Sequence, residues 1–122
     1  MDLIQETKLY IEALGYSKDD IDWIGCKDFY IPIDCFWNSV PQEYDAGFGS
    51  VEVAADLVIV FKDNSWLERT EYDGSEWWTY KHTPQKPTNY VWKVNRFVNS
   101  NYEASRGLKY INRERFPHVA LS

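Results

Sequence analysis

The sequence predicts an α+β fold, with an antiparallel sheet of about four or five strands, an N-terminal helix packed on one face and a C-terminal helix or arm. Residues 2–14 carry apolar side chains at helical spacing. Residues 51–81 contain strand-like runs separated by turn residues. The last forty residues are interrupted by proline and glycine. Because a sheet must bury one face, we expect the N-terminal helix to cover it.

The first element is predicted to be an amphipathic helix over residues 2–14, capped by Asp2 and ended by Gly15. Ser17, followed three residues later by Asp20, matches a capping pattern and predicts a short turn of helix that ends by Gly25. The apolar residues that define the face of the first helix are Leu3, Ile4, Tyr10, Ile11 and Leu14.

The next region is predicted to be a strand over residues 29–37, where aromatic and β-branched residues dominate. Pro32 cannot donate a hydrogen bond to a neighbouring strand, so this strand is predicted to lie at an edge or to carry a bulge. Residues 38–50 are predicted to be a loop.

Residues 51–62 are predicted to form a strand or a bulged pair, with the apolar run 57–61 central and buried on both sides. A turn follows at Asp63-Asn64 or Asn64-Ser65.

A hairpin is predicted next, because Asp73-Gly74 separates two strand-like runs. A two-residue loop there places Arg69 opposite Trp78 and allows a cation–π contact between them. Leu67 is then opposite Tyr80. Neighbouring residues of a strand point to opposite faces, so Trp77 and Trp78 cannot share one. We therefore ask whether the Trp66/Trp78 side of the sheet is covered or open.

Residues 82–87 contain two prolines and predict a stiff, extended connector. Residues 88–102 carry apolar residues at helical spacing and predict a helix, although their β-branched residues keep a strand open as the alternative.

The composition predicts one soluble globular domain, since the chain has 122 residues, 44% hydrophobic and 26% charged. The charges are unevenly placed. Residues 1–80 hold 17 acids and 5 bases, a net of −12, and residues 81–122 hold 2 acids and 8 bases, a net of +6. An acidic body could attract basic clefts, and a basic portion could contact phosphate or dock against the acidic body.

The sequence predicts no catalytic site, no cofactor and no metal site. His82 and His118 lie beside loop prolines without a recognisable nucleophile. Cys26 and Cys35 are predicted to be ordinary buried thiols. The apolar run 57–61 is far too short to cross a membrane, and the first ten residues do not resemble a signal peptide, so the expected compartment is a cytosol.

The hairpin instead suggests a surface that binds another macromolecule, since aromatic anchors and charges alternate along it. The opposing interpretation is that its rings fill the core of the sheet. The candidate partner-binding residues are Trp66, Glu68, Arg69, Glu71, Tyr72, Asp73, Glu76 and Trp78.

The basic portion suggests a second kind of surface, one that contacts nucleic acid with cations and the stacking rings of Tyr90, Trp92 and Tyr102. Self-assembly is a third possibility, with the acidic body of one copy against the basic portion of a neighbour; the chain is expected to be a monomer or a homodimer. The candidate nucleic-acid contacts are Lys93, Arg96, Arg106, Lys109, Arg113 and Arg115.

The segment 61–81, FKDNSWLERTEYDGSEWWTYK, resembles small proteins of phages and prophages of Gram-positive bacteria. The resemblance covers about a fifth of the chain, and WLERTEYDGSEWW is its most distinctive part. It implies a phage protein of the host bacterial cytoplasm, a type II anti-CRISPR role, and a CRISPR effector nuclease as partner. It implies no catalytic residue.

Overall fold

The computed structural model describes residues 1–47, 49–98 and 107–114. The chain divides into two compact units, residues 1–84 and residues 85–122. The division lies close to the boundary between the acidic and basic portions at residue 80. That the two units make a single domain stays a prediction.

Residues 1–84 have the α+β architecture that the sequence predicts. Their sheet is open, five-stranded and antiparallel throughout, in the order β2-β1-β3-β4-β5. The strands are β1 (Ile21–Gly25), β2 (Tyr30–Ile31), β3 (Val58–Phe61), β4 (Trp66–Tyr72) and β5 (Ser75–Lys81), and the helices are α1 (Leu3–Ala13), a 3-10 turn (Lys18–Asp20) and α2 (Ile33–Trp37).

Helix α1 begins and ends where the sequence predicts. The side chain of Asp2 accepts a hydrogen bond from the backbone N–H of Ile4 at 3.1 Å, which satisfies one free donor of the first turn. Gly15 follows the helix with φ of +88°, a conformation that glycine adopts without steric cost. The buried residues of α1 share one side, and that side meets the sheet; they are Leu3, Ile4, Thr7 and Ile11.

The core lies on one face of the sheet only. Ile24, Ile59 and Leu67 are aligned across β1, β3 and β4 and are fully buried. Helix α1 contacts this face directly, since the indole N–H of Trp78 donates to the hydroxyl of Thr7 at 2.8 Å. Phe36 of α2 belongs to the same core. Both helices therefore stabilise one side of the sheet.

The region 17–37 differs most from the sequence-based expectation. Ser17 and Asp20 form the expected capping box. The chain then enters β1 directly, a strand that the sequence analysis misses. The predicted strand 29–37 is wrong beyond Ile31. Pro32 has no N–H for a further strand bond and its φ of −55° suits the start of a helix, so α2 follows. The expectation of an edge strand here is confirmed, because β2 lies at one edge.

Strand β3 is central, as predicted, but shorter and less buried than predicted. Residues 51–57 have no regular structure. Ile59 and Phe61 are buried, whereas Val58 and Val60 are only half-buried. The prediction of burial on both sides is wrong because the helices of residues 1–84 cover one face.

The β4–β5 hairpin matches its prediction in turn, register and contacts. Asp73 and Gly74 have φ of +50° and +87°, which is the two-residue turn typical of tight hairpins. Arg69 lies opposite Trp78 and Leu67 opposite Tyr80. The local turn chemistry fixes this register.

The described part of the second unit contains one short helix, α3 (Leu108–Ile111). The predicted helix, and its strand alternative, are wrong over residues 88–98, and residues 99–102 lie outside the described residues. The apolar residues there do recur at helical spacing, but Val91, Val94 and Val98 have low helix propensity, and a short helix forms in water only when packing stabilises it. Asn112 links Arg96 to the end of α3, because its amide donates to the carbonyl of Arg96 at 2.9 Å and accepts from the Arg96 N–H at 3.1 Å.

Candidate binding surface

The side of the sheet opposite the core carries a row of tryptophans. The strand register places Trp23, Val60 and Trp66 side by side across β1, β3 and β4. A second row contains Val58 and Glu68. We call this surface the tryptophan face; its members are Trp23, Val58, Val60, Trp66, Glu68, Thr70, Trp77 and Thr79.

No member of the tryptophan face belongs to the hydrophobic core. Trp77 is 42% exposed, and Trp23 and Trp66 are half-buried. Because α1 and α2 direct their buried residues into the core, no helix of residues 1–84 lies over this face. Apolar rings without a helix over them are a typical feature of binding surfaces.

Glu68 is the fixed anion of the tryptophan face. The indole N–H of Trp66 donates to its carboxylate at 2.9 Å, and Lys81 Nζ lies 3.3 Å from the same oxygen. The hydrogen bond from Trp66, aided by Lys81, holds the pKa of Glu68 below its ordinary value. The carboxylate is therefore charged at neutral pH, and it orients the neighbouring indole.

Two threonines join the strands of the hairpin beside Trp77. The hydroxyls of Thr70 and Thr79 are hydrogen-bonded across β4 and β5. Trp77 lies directly opposite Thr70. The exposed indole of Trp77 therefore lies on a part of the sheet that is already paired and ordered. Less conformational entropy is lost when a partner binds it.

Three of the eight predicted partner-binding residues are buried inside the chain, which removes them from the candidate surface. The side chains of Arg69 and Glu76 are almost fully buried and form an ion pair at 3.1 Å. Glu76 also accepts the backbone N–H groups of Glu52 and Val53, at 2.8 and 3.2 Å. Trp78 is 2% exposed. Arg69 and Glu76 hold Tyr44 and the segment 52–53 to the hairpin, whereas Trp78 is bonded to Thr7 of α1.

The guanidinium of Arg69 lies between two rings. Its centre is 4.8 Å from the ring of Trp78 and 5.6 Å from that of Tyr44. This confirms the predicted cation–π pair with Trp78. Two of its nitrogens, Nε and Nη1, are buried without a hydrogen-bond partner. Its charge therefore depends on Glu76 and the two rings.

Three other predicted residues cluster at the tip of the hairpin. Glu71, Tyr72 and Asp73 are all exposed, and Tyr72 is 76% exposed. Together with Glu68, they form the acidic and aromatic part of the predicted surface that is accessible to solvent among the described residues.

The pairing of Trp66 with Trp78 on one side of the sheet is wrong. Trp66 lies opposite Lys81, so it shares the tryptophan face with Trp77, and Trp78 points into the core. Sequence reasoning thus missed Trp77 and Trp23 as surface residues. The predicted hairpin register already places Trp77 on the face opposite Trp78, and this is the signal for Trp77. Trp23 had no such signal, because β1 itself was not predicted.

The predicted nucleic-acid contacts are only partly described. Lys93 and Lys109 are exposed. Arg96 forms an exposed ion pair with Glu114 at 3.8 Å, and the Arg113 guanidinium lies 4.6 Å from the ring of Tyr110. Outside the described residues are Arg106, Arg115 and the proposed stacking residue Tyr102.

The two cysteines are not the buried thiols that the sequence predicts, since Cys26 is half-buried and Cys35 exposed. Cys26, Asp28 and Asp56 bring their ligand atoms within 4.8 Å of one another. Both carboxylates are exposed, so the cluster gives no ground to assign a metal. Among the described residues, no helix is long and apolar enough to cross a membrane.

Comparison of the chain with protein-family models, with curated proteins and with solved structures finds no match.

Proposed function

We propose that this chain is a non-enzymatic phage accessory protein that binds a host defence factor and inhibits it, the preferred target being a Cas9-type CRISPR nuclease. The observation that supports a binding role is the tryptophan face, which carries three indoles on the side of the sheet that the helices of residues 1–84 do not cover. The phage context comes from the resemblance of segment 61–81.

The charge of the first unit favours a basic target. Residues 1–84 hold 17 acids and 6 bases, a net of −11. Nucleases guided by RNA hold their nucleic acids in channels dense in lysine and arginine. An acidic protein is drawn to such a channel at long range, and its carboxylates can replace phosphates there.

The tryptophan face would supply the anchors of this interface. Trp66 and Trp77 share their face with Glu68, and Glu71 and Asp73 are exposed at the hairpin tip. Aromatic side chains carry most of the energy of many interfaces, and charges around them add specificity and speed of association.

The first test replaces the two hairpin anchors by serine, as Trp66→Ser with Trp77→Ser. We expect the variant to lose inhibition of DNA cleavage by the purified nuclease and to lose capture of that nuclease. Leu9→Ser is the matched control, because Leu9 is 56% exposed on the outer side of α1. Inhibition by a folded double variant equal to that of the wild type would exclude the tryptophan face.

The second test concerns the carboxylates. Glu76 must stay, since its removal would unpair Arg69. The variant is therefore Glu68→Ser with Glu71→Ser and Asp73→Ser. We expect weaker inhibition and a smaller dependence on salt. The control removes three exposed acids elsewhere, namely Glu12, Asp19 and Asp28, and changes the net charge equally. Equal loss in both variants would mean that only total charge matters.

A second candidate function is nucleic-acid binding by the basic portion. The observation that favours it is the exposure of Tyr90, at 87%, near the exposed Lys93. Rings and cations arranged in this way bind single strands by stacking and by neutralising phosphates. A gel-shift assay at low salt that shows no complex with DNA or RNA would exclude it.

A further inference from the structure

One edge of the sheet is a long strand whose outer backbone groups are unpaired. Strand β5 is seven residues long and pairs only with β4. In an antiparallel hairpin closed by a two-residue loop, alternate residues direct their N–H and C=O outward. Glu76 is one of these, since its N–H donates to the carbonyl of Ala46 at 3.1 Å. The same alternation directs the groups of Trp78 and Tyr80 outward.

Nothing within the described residues pairs with these outward groups. Ala46 occupies the edge at Glu76, and no backbone bond of the described chain reaches Trp78 or Tyr80 on the outer side. A long edge strand with free donors and acceptors is a template for another strand. Proteins in which such an edge strand stays unpaired usually interrupt it with a proline or a bulge. In this chain, Pro84 follows the edge and does not lie within it.

We propose that β5 pairs with β5 of a second copy of this chain, antiparallel and centred on Thr79, to make a two-fold homodimer with a continuous ten-stranded sheet. The proposal does not rest on the proposed function, because it concerns the edge of the sheet, although Trp77 takes part in both surfaces. It also differs from docking of the acidic body against a neighbour's basic portion.

The bond already made by Glu76 and the end of β5 at Lys81 together limit the possible registers. A pairing centred on Trp78 would set Tyr80 against Glu76 of the second copy, whose N–H is already engaged by Ala46. A pairing centred on Thr79 sets Trp78 against Tyr80 of the second copy. It completes four backbone hydrogen bonds with groups that are otherwise unpaired.

The side chains of β5 are complementary in this register. On the tryptophan face, Trp77 lies opposite Lys81 of the second copy, so an ammonium meets an exposed indole twice in the dimer. Thr79 meets its own copy, a favourable pair across strands. The two-fold axis is perpendicular to the sheet, so the tryptophan faces of both copies lie on the same side. The pairing places no like charges opposite each other over residues 77–81.

The first test measures mass against concentration by sedimentation equilibrium. We expect the wild type to change from 14.4 kDa towards twice that mass as concentration rises. Trp77→Lys places two lysines opposite each other and should raise the dimer dissociation constant by about tenfold or more. Adding Lys81→Glu to that variant restores opposite charges and should recover the dimer. Tyr72→Lys, on the same strand pair but outside the paired segment, is the control. A monomer at every concentration would overturn the proposal.

The second test reports the register. In a background of Cys26→Ser and Cys35→Ser, Thr79→Cys should form a disulfide-linked dimer under mild oxidation, because directly opposite residues in non-hydrogen-bonded pairs approach most closely. Thr70→Cys is the control, since it shares the face but lies on β4. A dimer that Trp77→Lys does not weaken, or that Thr70→Cys links as readily as Thr79→Cys, would overturn this interface.

Discussion

The buried pair of Arg69 and Glu76 shows how a charge that looks like a binding residue can be structural. Glu76 receives the guanidinium and two backbone N–H groups of the 52–53 segment, so one carboxylate joins the hairpin to a loop. A buried ion pair is by itself weak evidence that the pair stabilises the fold. Removal of one partner, however, leaves the other charge buried and unpaired.

We predict that Glu76→Ala destabilises residues 1–84 by about 3–5 kcal/mol, because it leaves a buried guanidinium and two N–H groups without an acceptor. Urea unfolding followed by tryptophan fluorescence measures this. Glu71→Ala is the control, since Glu71 lies opposite Glu76 on β4 but is exposed, and its change should stay within about 0.5 kcal/mol. Equal losses for both would contradict the structural role of Glu76.

A second prediction at this scale concerns pH. Hydrogen bonds from Ser65 and from the hydroxyl of Tyr16 hold the pKa of Asp63 below its ordinary value of 3.8. A lowered folded-state pKa contributes stability that is present above pH 3.8 and is lost as the pH falls through the folded value. Asp63→Asn should therefore be less stable than wild type at pH 7 and lose less stability on acidification. Urea midpoints between pH 7 and pH 2.5 test this, with Asp19→Asn as the control. A parallel pH dependence in wild type and Asp63→Asn would refute it.

At the scale of elements, the hairpin depends on a glycine that does two things. Gly74 has φ of +87°, and a Cβ built on it would lie 2.9 Å from the carbonyl oxygen of Gly49. Gly15 has nearly the same φ, +88°, but a Cβ there would meet nothing within 4 Å. Substitutions at Gly15 and Gly74 therefore separate the cost of backbone strain from the cost of steric crowding.

We predict that Gly15→Ala costs about 1–2 kcal/mol, the strain of a left-handed alanine. Gly74→Ala should cost more, since loop 44–53 must also move away. Thermal unfolding of both variants measures the difference. Equal destabilisation would mean that Gly49 does not pack against the turn.

The sequence predicts elements whose signals are local and misses those set by distant contacts. Asp73-Gly74 determines the hairpin register by itself. Strand β1 has five residues, and its pairing with β2 and β3 makes it a strand. Residues 33–37 favour a strand by composition, yet Pro32 and the core position of Phe36 make them a helix. The candidate surface shows the same division. The hairpin register predicts the face on which Trp77 lies, whereas the position of Trp23 and the burial of Arg69 depend on long-range packing.

At the scale of the whole molecule, the described residues of the hydrophobic core of the first unit all belong to that unit. Every member of the principal core cluster lies between Leu3 and Trp78, and the partly buried residues packed against it end at Tyr80. The connector after β5 has no regular structure within the described residues 82–98. The charge changes at the same place, because residues 1–84 carry a net of −11 within a chain of net −6.

We predict that a fragment of residues 1–84 folds alone. A unit of this size buries enough surface to be marginally stable, and every described member of its core lies within it. Circular dichroism and urea unfolding should show one cooperative transition that retains the Trp78 signal. A non-cooperative transition, or exchange of the Trp78 indole proton as fast as in the unfolded chain, would mean that residues 85–122 complete the fold. If the fragment folds and still dimerises, the second unit is not needed for the pairing of β5.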